Sequence, residues 1–353
     1  MFSQHVIFGE KHPNATSNSI YFDKDGMIYP DVTISNEALL KCRSSLVQWY
    51  SQHPRFTDSL LHLYQLPSKK GAIETDGSLD TNNWYSFETL HNLNDVLIRK
   101  KSEQLDSIAN GNGLEFYIHG YRKSYLENGR DVTSVAEFGY LKSSLDSTRT
   151  RKNLVVYVYW DGMYDCCFSS NFKKNKQLFK LFQTAGGNAN LVSLSFTKLL
   201  ENSTSKNINI VAHSLGTKIA VQGVMDCRNF NPVFNVCLIA PAIPASLIKD
   251  AYFDHLELPN CNWLILYNEK DFVLKKKDNK VGVFGPGAYK YGVTTLGCNK
   301  RNDAKKLDNW MNDTKPTVSF ELVDKTYLGK CHSLRCYTKN QNLIEVSSFF
   351  ESR

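Results

Sequence analysis

From residue 114 onward, short apolar runs alternate with longer amphipathic stretches. The runs are 114–118, 154–160, 208–211, 233–240, 263–267 and 318–323. They are rich in Val, Ile, Phe and Tyr, and the central ones are apolar at nearly every position. Such runs mark strands covered on both faces, as in a parallel sheet. The segments between them are long enough for crossover helices, for example 188–200 and 217–225. Strand, helix and strand in repetition predict an α/β fold with a doubly wound, mostly parallel sheet.

The first 113 residues follow another pattern. Residues 19–32 read as two short strands around Lys24-Asp25-Gly26, a hairpin signal. Asn36 is placed to cap a helix running to about Gln52, with Leu39, Leu40, Leu46 and Val47 on one stripe. A second helical pattern over 85–108 carries Leu90, Leu93, Val96, Leu97 and Leu105. The cluster Asn110-Gly111-Asn112-Gly113 is a turn signal and the expected boundary. The expected division is an N-terminal α+β extension, 1–113, whose role the sequence leaves open, and an α/β domain over 114–353.

Composition narrows the class of protein. A length of 353 residues, 42% hydrophobic and 22% charged, fits a soluble globular chain with one large domain and extensions, or two modest ones. The net charge of +7 is mild for that length. Its short clusters, Lys173, Lys174 and Lys176 and then Lys275, Lys276 and Lys277, read as solvated faces, the sharper alternative being attraction to an anionic membrane. No nucleic-acid-binding motif is present, so no nucleic-acid partner is expected. The opening Met-Phe-Ser-Gln-His lacks a basic stretch followed by an apolar run, and no segment is apolar enough over enough residues to span a bilayer. The expectation is a cytoplasmic protein, with export by a route lacking a cleaved signal left open. Nine Cys, an odd number in a large chain, argue against a disulfide framework. Cys331 and Cys336 flank His332, but no second cluster at ligand spacing accompanies them, so no metal is expected.

In a doubly wound sheet the chemistry gathers at the carboxyl ends of the strands. The run 208–211 leads into Ala212-His213-Ser214-Leu215-Gly216 and then a helix. A serine on such a turn is held in a strained conformation that projects its hydroxyl, and its neighbours two residues away must be small. Ser214 is therefore the candidate nucleophile, with His213 in a supporting place. The run 114–118 ends in His119-Gly120-Tyr121, where this kind of site builds half of an oxyanion hole. The expected donors are the backbone N–H groups of Tyr121 and Leu215. His119 and Gly120 would shape that loop. The run 263–267 leads into Asn268-Glu269-Lys270-Asp271, which offers Asp271 as the acid and Glu269 in reserve. The base must come after the acid in chain order, and of nine His only His332 lies beyond Asp271.

These residues resemble the α/β-hydrolase superfamily, and within it a largely bacterial branch of unknown function. That branch has an early His-Gly-Tyr, a strand ending in Trp, an Ala-His-Ser-Met-Gly-like elbow, an Asn-Asp pair after the acid strand and a late His-Ser-Tyr. This chain offers His119-Gly120-Tyr121, Trp160, Ala212-His213-Ser214-Leu215-Gly216, Lys270-Asp271 and His332-Ser333. Leu215 stands in place of Met, Lys270 of Asn and Leu334 of the aromatic, and the resemblance covers about 114–353. It implies the fold and a Ser–Asp–His triad. Related enzymes cleave carboxylic esters, lipids and thioesters, so the substrate stays open.

The expected function is a serine esterase or lipase working through an acyl-enzyme on Ser214, with no cofactor and with an ester or lipid as substrate. The alternatives are an inactive binding protein on a hydrolase scaffold and a membrane-damaging phospholipase. The insertion 275–316, with Gly282, Gly285-Pro286-Gly287 and Gly292, is a candidate lid. The aromatics of 161–188, Tyr164, Phe168, Phe172, Phe179 and Phe182, are candidates for a wall.

Overall fold

The computed structural model describes residues 6–7, 10–11, 18–30, 45–70, 73–75, 78–80, 85–121, 134–146, 153–160, 172–254, 260–274, 295–299, 301–339 and 343–353. Two short antiparallel pairs lie in the N-terminal region, β1 (Val6–Ile7) with β2 (Glu10–Lys11) and β4 (Ile73–Thr75) with β5 (Ser78–Asp80). The main sheet has seven strands: β3 (Ser19–Phe22), β6 (Leu114–Ile118), β7 (Leu154–Trp160), β8 (Asn207–His213), β9 (Val233–Ile239), β10 (Asn260–Tyr267) and β11 (Phe320–Asp324). Their order across the sheet is β11-β10-β9-β8-β6-β7-β3, and every described pairing within it is parallel.

The described helices are α1 (Leu46–Gln52), α2 (Pro54–Leu63), α3 (Phe87–Ala109), α4 (Ser134–Asp146), α5 (Phe172–Glu201), α6 (Gly216–Met225), α7 (Ala245–Asp254), α8 (Asp303–Thr314), α9 (Leu334–Thr338) and α10 (Ile344–Glu351). Burial explains the continuous apolar runs. Strands β8 and β9 are buried at every position after their first, so a side chain pointing to either face meets protein.

An asparagine ladder fixes the register of the central strands. Asn209, Asn235 and Asn262 stand abreast on β8, β9 and β10. The Asn262 amide donates to Asn235 Oδ1 at 2.9 Å, and the Asn235 amide donates to Asn209 Oδ1 and Asn207 Oδ1, each at 3.0 Å. Slipping one strand would leave buried amides unpaired at a cost of about 1–3 kcal/mol each. The ladder thereby aligns the far ends of the same strands. The chain leaves β6 toward β7 on one side and resumes at β8 on the other, so the order reverses between β6 and β8. Open α/β sheets bind ligands at such a point.

The N-terminal region joins this sheet. The expected hairpin at 19–32 forms only in part: Phe22 and Ile28 make one antiparallel bridge, while β3 pairs in parallel with β7 as the edge strand. Asp23 organises the turn. Its carboxylate accepts backbone N–H groups of Asp25, Met27 and Leu46, and burial pushes its pKa well above the usual value. Helix α1 starts at Leu46 with Ser45 as its cap; the expected cap at Asn36 lies outside the described residues. Helix α3 packs along α5 through Asn94 to Ser195 and Ser102 to the Leu199 carbonyl. It ends at Asn110, whose φ of 48° is left-handed. The last strand begins later than its pattern, at Phe320, because Val318 turns back to the Lys315 carbonyl. Among the described residues no helix is long and apolar enough to cross a membrane.

Candidate active site

Ser214 sits between the end of β8 and the start of α6 with φ of 52°, a left-handed conformation rare outside glycine. Several hydrogen bonds hold it there. Its N–H donates to the Ile239 carbonyl, and its own carbonyl accepts from Ala242 N–H, Thr217 N–H and the Thr217 hydroxyl. The small residues around the turn serve a close approach of β6. A Cβ on Gly216 would lie 2.3 Å from the His119 carbonyl oxygen, and one on Gly120 would lie 2.8 Å from Ser214 Cβ. The crowding at Gly216 thus comes from the backbone after β6. Gly223, further along α6, makes room for the Phe196 ring of α5 rather than for the sheet.

His332 and Asp271 meet Ser214 from the other side of the sheet order. His332 Nε2 lies 2.9 Å from Ser214 Oγ, and His332 Nδ1 lies 2.6 Å from Asp271 Oδ2. The Asp271 carboxylate is fully buried and the His332 side chain is 13% exposed. The second carboxylate oxygen, Oδ1, accepts N–H groups of Val273 and Leu274 at 2.9 and 3.0 Å. With a carboxylate at Nδ1, that nitrogen carries the imidazole proton. Nε2 is then left with a lone pair for the serine hydroxyl. Tyr337 lies beside the acid. Burial first, and the Asp271 charge second, push its phenol well above the ordinary value, so it stays protonated.

The reserve acid is engaged elsewhere. Glu269 Oε1 accepts the Asn299 amide at 3.0 Å and its N–H donates to Thr326 Oγ1 at 3.0 Å. Hydrogen bonds tie His119 to its own loop and to Trp160. Its Nδ1 lies 2.7 Å from the Gly120 carbonyl, its Nε2 accepts Trp160 N–H at 3.2 Å, and its carbonyl accepts the Trp160 indole N–H at 2.8 Å. Tyr121 and Leu215 come directly after the contacting pair Gly120 and Ser214, one on each side of the approach. The Tyr121 ring meets that of Phe182 with centroids 5.6 Å apart.

Two residues absent from the expected set make contact with it. Asn268, directly after β10, donates its amide to the carbonyls of Gly329 at 2.8 Å and Cys331 at 3.0 Å, gripping the loop that carries His332. Its position after the acid strand is a signal of the kind that singles out Asp271. Glu137, on α4, lies 3.2 Å from His213 Nδ1, and both side chains are 1% exposed. Nothing in the sequence around Glu137 marks it. Cys331 and Cys336 are joined in a disulfide across His332. The odd cysteine count argues against a framework of bridges, but it says nothing about one local pair.

Within the 275–316 insertion, residues 295–299 pack inward. The Leu296 N–H donates to Ile243, Gly297 N–H to Pro241, and the Gly297 carbonyl accepts Asn268 N–H. Residues 275–294, including Lys275 to Lys277 and the glycines of the candidate lid, lie outside the described residues, as do Tyr164 and Phe168. The side chains of Lys173, Lys174, Lys176, Phe172 and Phe179 are likewise not described.

Fold and site together define a mixed α/β protein with a parallel seven-stranded sheet, consistent with an α/β-hydrolase-like architecture. No family model and no curated protein matches the chain. Among solved structures it is similar to a provisionally assigned YdeN-like hydrolase from Pectobacterium atrosepticum, at 12% identity over 71% of this chain and 98% of that one, with a TM-score of 0.36.

Proposed function

We propose that the protein is a serine hydrolase that cleaves carboxylic esters through an acyl-enzyme on Ser214. The observation that carries this reading is the continuous line of contacts from Ser214 Oγ through His332 to Asp271, buried at the acid end. A serine hydroxyl is a weak nucleophile until a base takes its proton. His332 Nε2 accepts that proton as Oγ attacks the ester carbonyl carbon, and Asp271 stabilises the imidazolium that forms. The carbonyl π pair moves to oxygen, and the N–H groups of Leu215 and Tyr121 are the proposed donors to it. Collapse expels the alcohol, which takes the proton from His332. Water then repeats the sequence on the acyl-enzyme, releasing the acid and Ser214. Side chains and water account for every proton and bond in this scheme.

The Tyr121–Phe182 contact puts aromatic surface beside Gly120, which favours an apolar acyl group. Turnover of p-nitrophenyl esters from acetate to palmitate tests both parts. Hydrolysis by wild type and none by Ser214→Ala supports the hydrolase. A rate rising with chain length supports a lipid-like acyl group, and acetate cleaved faster than every longer ester rejects it.

A further inference from the structure

The acid and imidazole behind Ser214 take no part in the proposed chemistry, yet they reach the histidine that does. Glu137 Oε1 lies 3.2 Å from His213 Nδ1, and His213 Nε2 lies 3.0 Å from the main-chain oxygen of His332. A carbonyl oxygen only accepts, so Nε2 of His213 carries a proton and donates it there. A second proton must then lie between Nδ1 and Glu137 Oε1, since an unprotonated Nδ1 and a carboxylate oxygen are both acceptors, and removing such a pair from water costs free energy that a shape-matched apolar pair would not. The arrangement therefore calls for a role beyond packing.

The contacts supply one. His213 and Ser214 are neighbours along the chain, and the two bonds they make to His332 close a ring. The His213 side chain holds the His332 carbonyl, and the His332 imidazole faces Ser214 Oγ. The two imidazoles lie 5.2 Å apart between centroids. Asn268 grips the same loop from β10 at Gly329 and Cys331, but His213 holds the residue that bears the ring. We infer that the Glu137–His213 pair is a positioning device for His332, locking the main chain of the base to the residue adjoining the nucleophile so that Nε2 stays on Ser214 Oγ. This rests on the proposed role of Ser214 and His332 in ester cleavage.

The chemistry of the two nitrogens gives a test. Glutamine at position 213 can present an amide N–H where Nε2 lies; asparagine is shorter and reaches only the place of Nδ1. His213→Gln should keep kcat and the rate of fluorophosphonate labelling within about threefold of wild type. His213→Asn should lower both roughly tenfold or more, the rate equivalent of one lost buried hydrogen bond, with KM nearly unchanged. The far-downfield proton resonance of His332 Nδ1–H should persist in the Gln variant and broaden or shift in the Asn variant. In a His332→Ala background the two variants should have equal residual rates, because the effect runs through His332.

Two results would overturn the inference. One is Gln falling as far as Asn. The other is Asn leaving both rate and resonance unchanged. A wild type that never labels would reject the hydrolase reading, and the resonance comparison would still decide the positioning role.

Discussion

Oδ2 of Asp271 lies 2.6 Å from Nδ1 of His332 across 61 residues of chain, while Glu269, two residues before that acid, is bonded to Asn299. Two nearby carboxylates are thereby separated by direction. Asp271→Asn should cost on the order of 10²–10⁴ in kcat, since an amide at this place neither fixes the tautomer nor stabilises the imidazolium. Glu269→Gln should stay near wild type. Steady-state kinetics of the two variants on one ester decide the matter, and equal losses would count against the assignment.

The approach of β6 to the turn at Ser214 has almost no slack. Gly216→Ala would drive a methyl to 2.3 Å from the His119 carbonyl, and Gly120→Ala to 2.8 Å from Ser214 Cβ. Backbone must move in the first case, at a cost of about 1–3 kcal/mol or more. Thermal unfolding should show a lower midpoint for Gly216→Ala. For Gly120→Ala the expected outcome is a loss of activity, because the atom displaced belongs to Ser214.

The loop bearing His332 is tied by Asn268 and by the Cys331–Cys336 disulfide. Asn268→Ala should destabilise by about 1 kcal/mol by removing two part-buried hydrogen bonds to the loop carbonyls. Replacing both cysteines with serine should cost roughly 2 kcal/mol, as expected for a short closed loop. Denaturant unfolding reads both effects. A double-serine variant as stable as wild type would mean that the bridge constrains nothing.

Burial raises the pKa of a whole set of neutral acids. The Cys227 thiol goes up to about 11, and Cys261, Tyr157, Tyr159 and Tyr267 are raised as well. The folded state therefore holds protons that the unfolded state releases near the ordinary values. With fewer protons on the unfolded chain, stability falls as pH rises. The contribution of Cys227 is complete below about pH 9 and lost through about pH 11. Denaturant midpoints should decline across that window, and tyrosinate absorbance should rise later in native than in denatured protein. Coincident titration curves would contradict the burial argument.

Much of this architecture is legible in the chain. The runs at 114–118 and 154–160 match β6 and β7 to the residue, because strands largely covered on both faces are apolar at most positions, Glu115 of β6 being the exception. Ser214 and Asp271 are found by reading just beyond the carboxyl ends of two strands, whereas His332 is picked out because no other His follows Asp271 in the chain. Other features are not legible, for reasons of range. The pattern at 19–32 signals a turn, but nothing in four residues says that β3 will cross to β7. Glu137 and His213 lie 76 residues apart in the chain, and only the folded chain brings them together. The local bridge between Cys331 and Cys336 is invisible to a count of nine. Asn268 is within reach of the same reading as Asp271, since it stands directly after β10.

Labelling with a fluorophosphonate probe tests most directly for an activated serine at position 214. Wild type should label and Ser214→Ala should not, with His332→Ala strongly slowed. A properly folded wild type that fails to label, or a Ser214→Ala variant that labels as well as wild type, would contradict it.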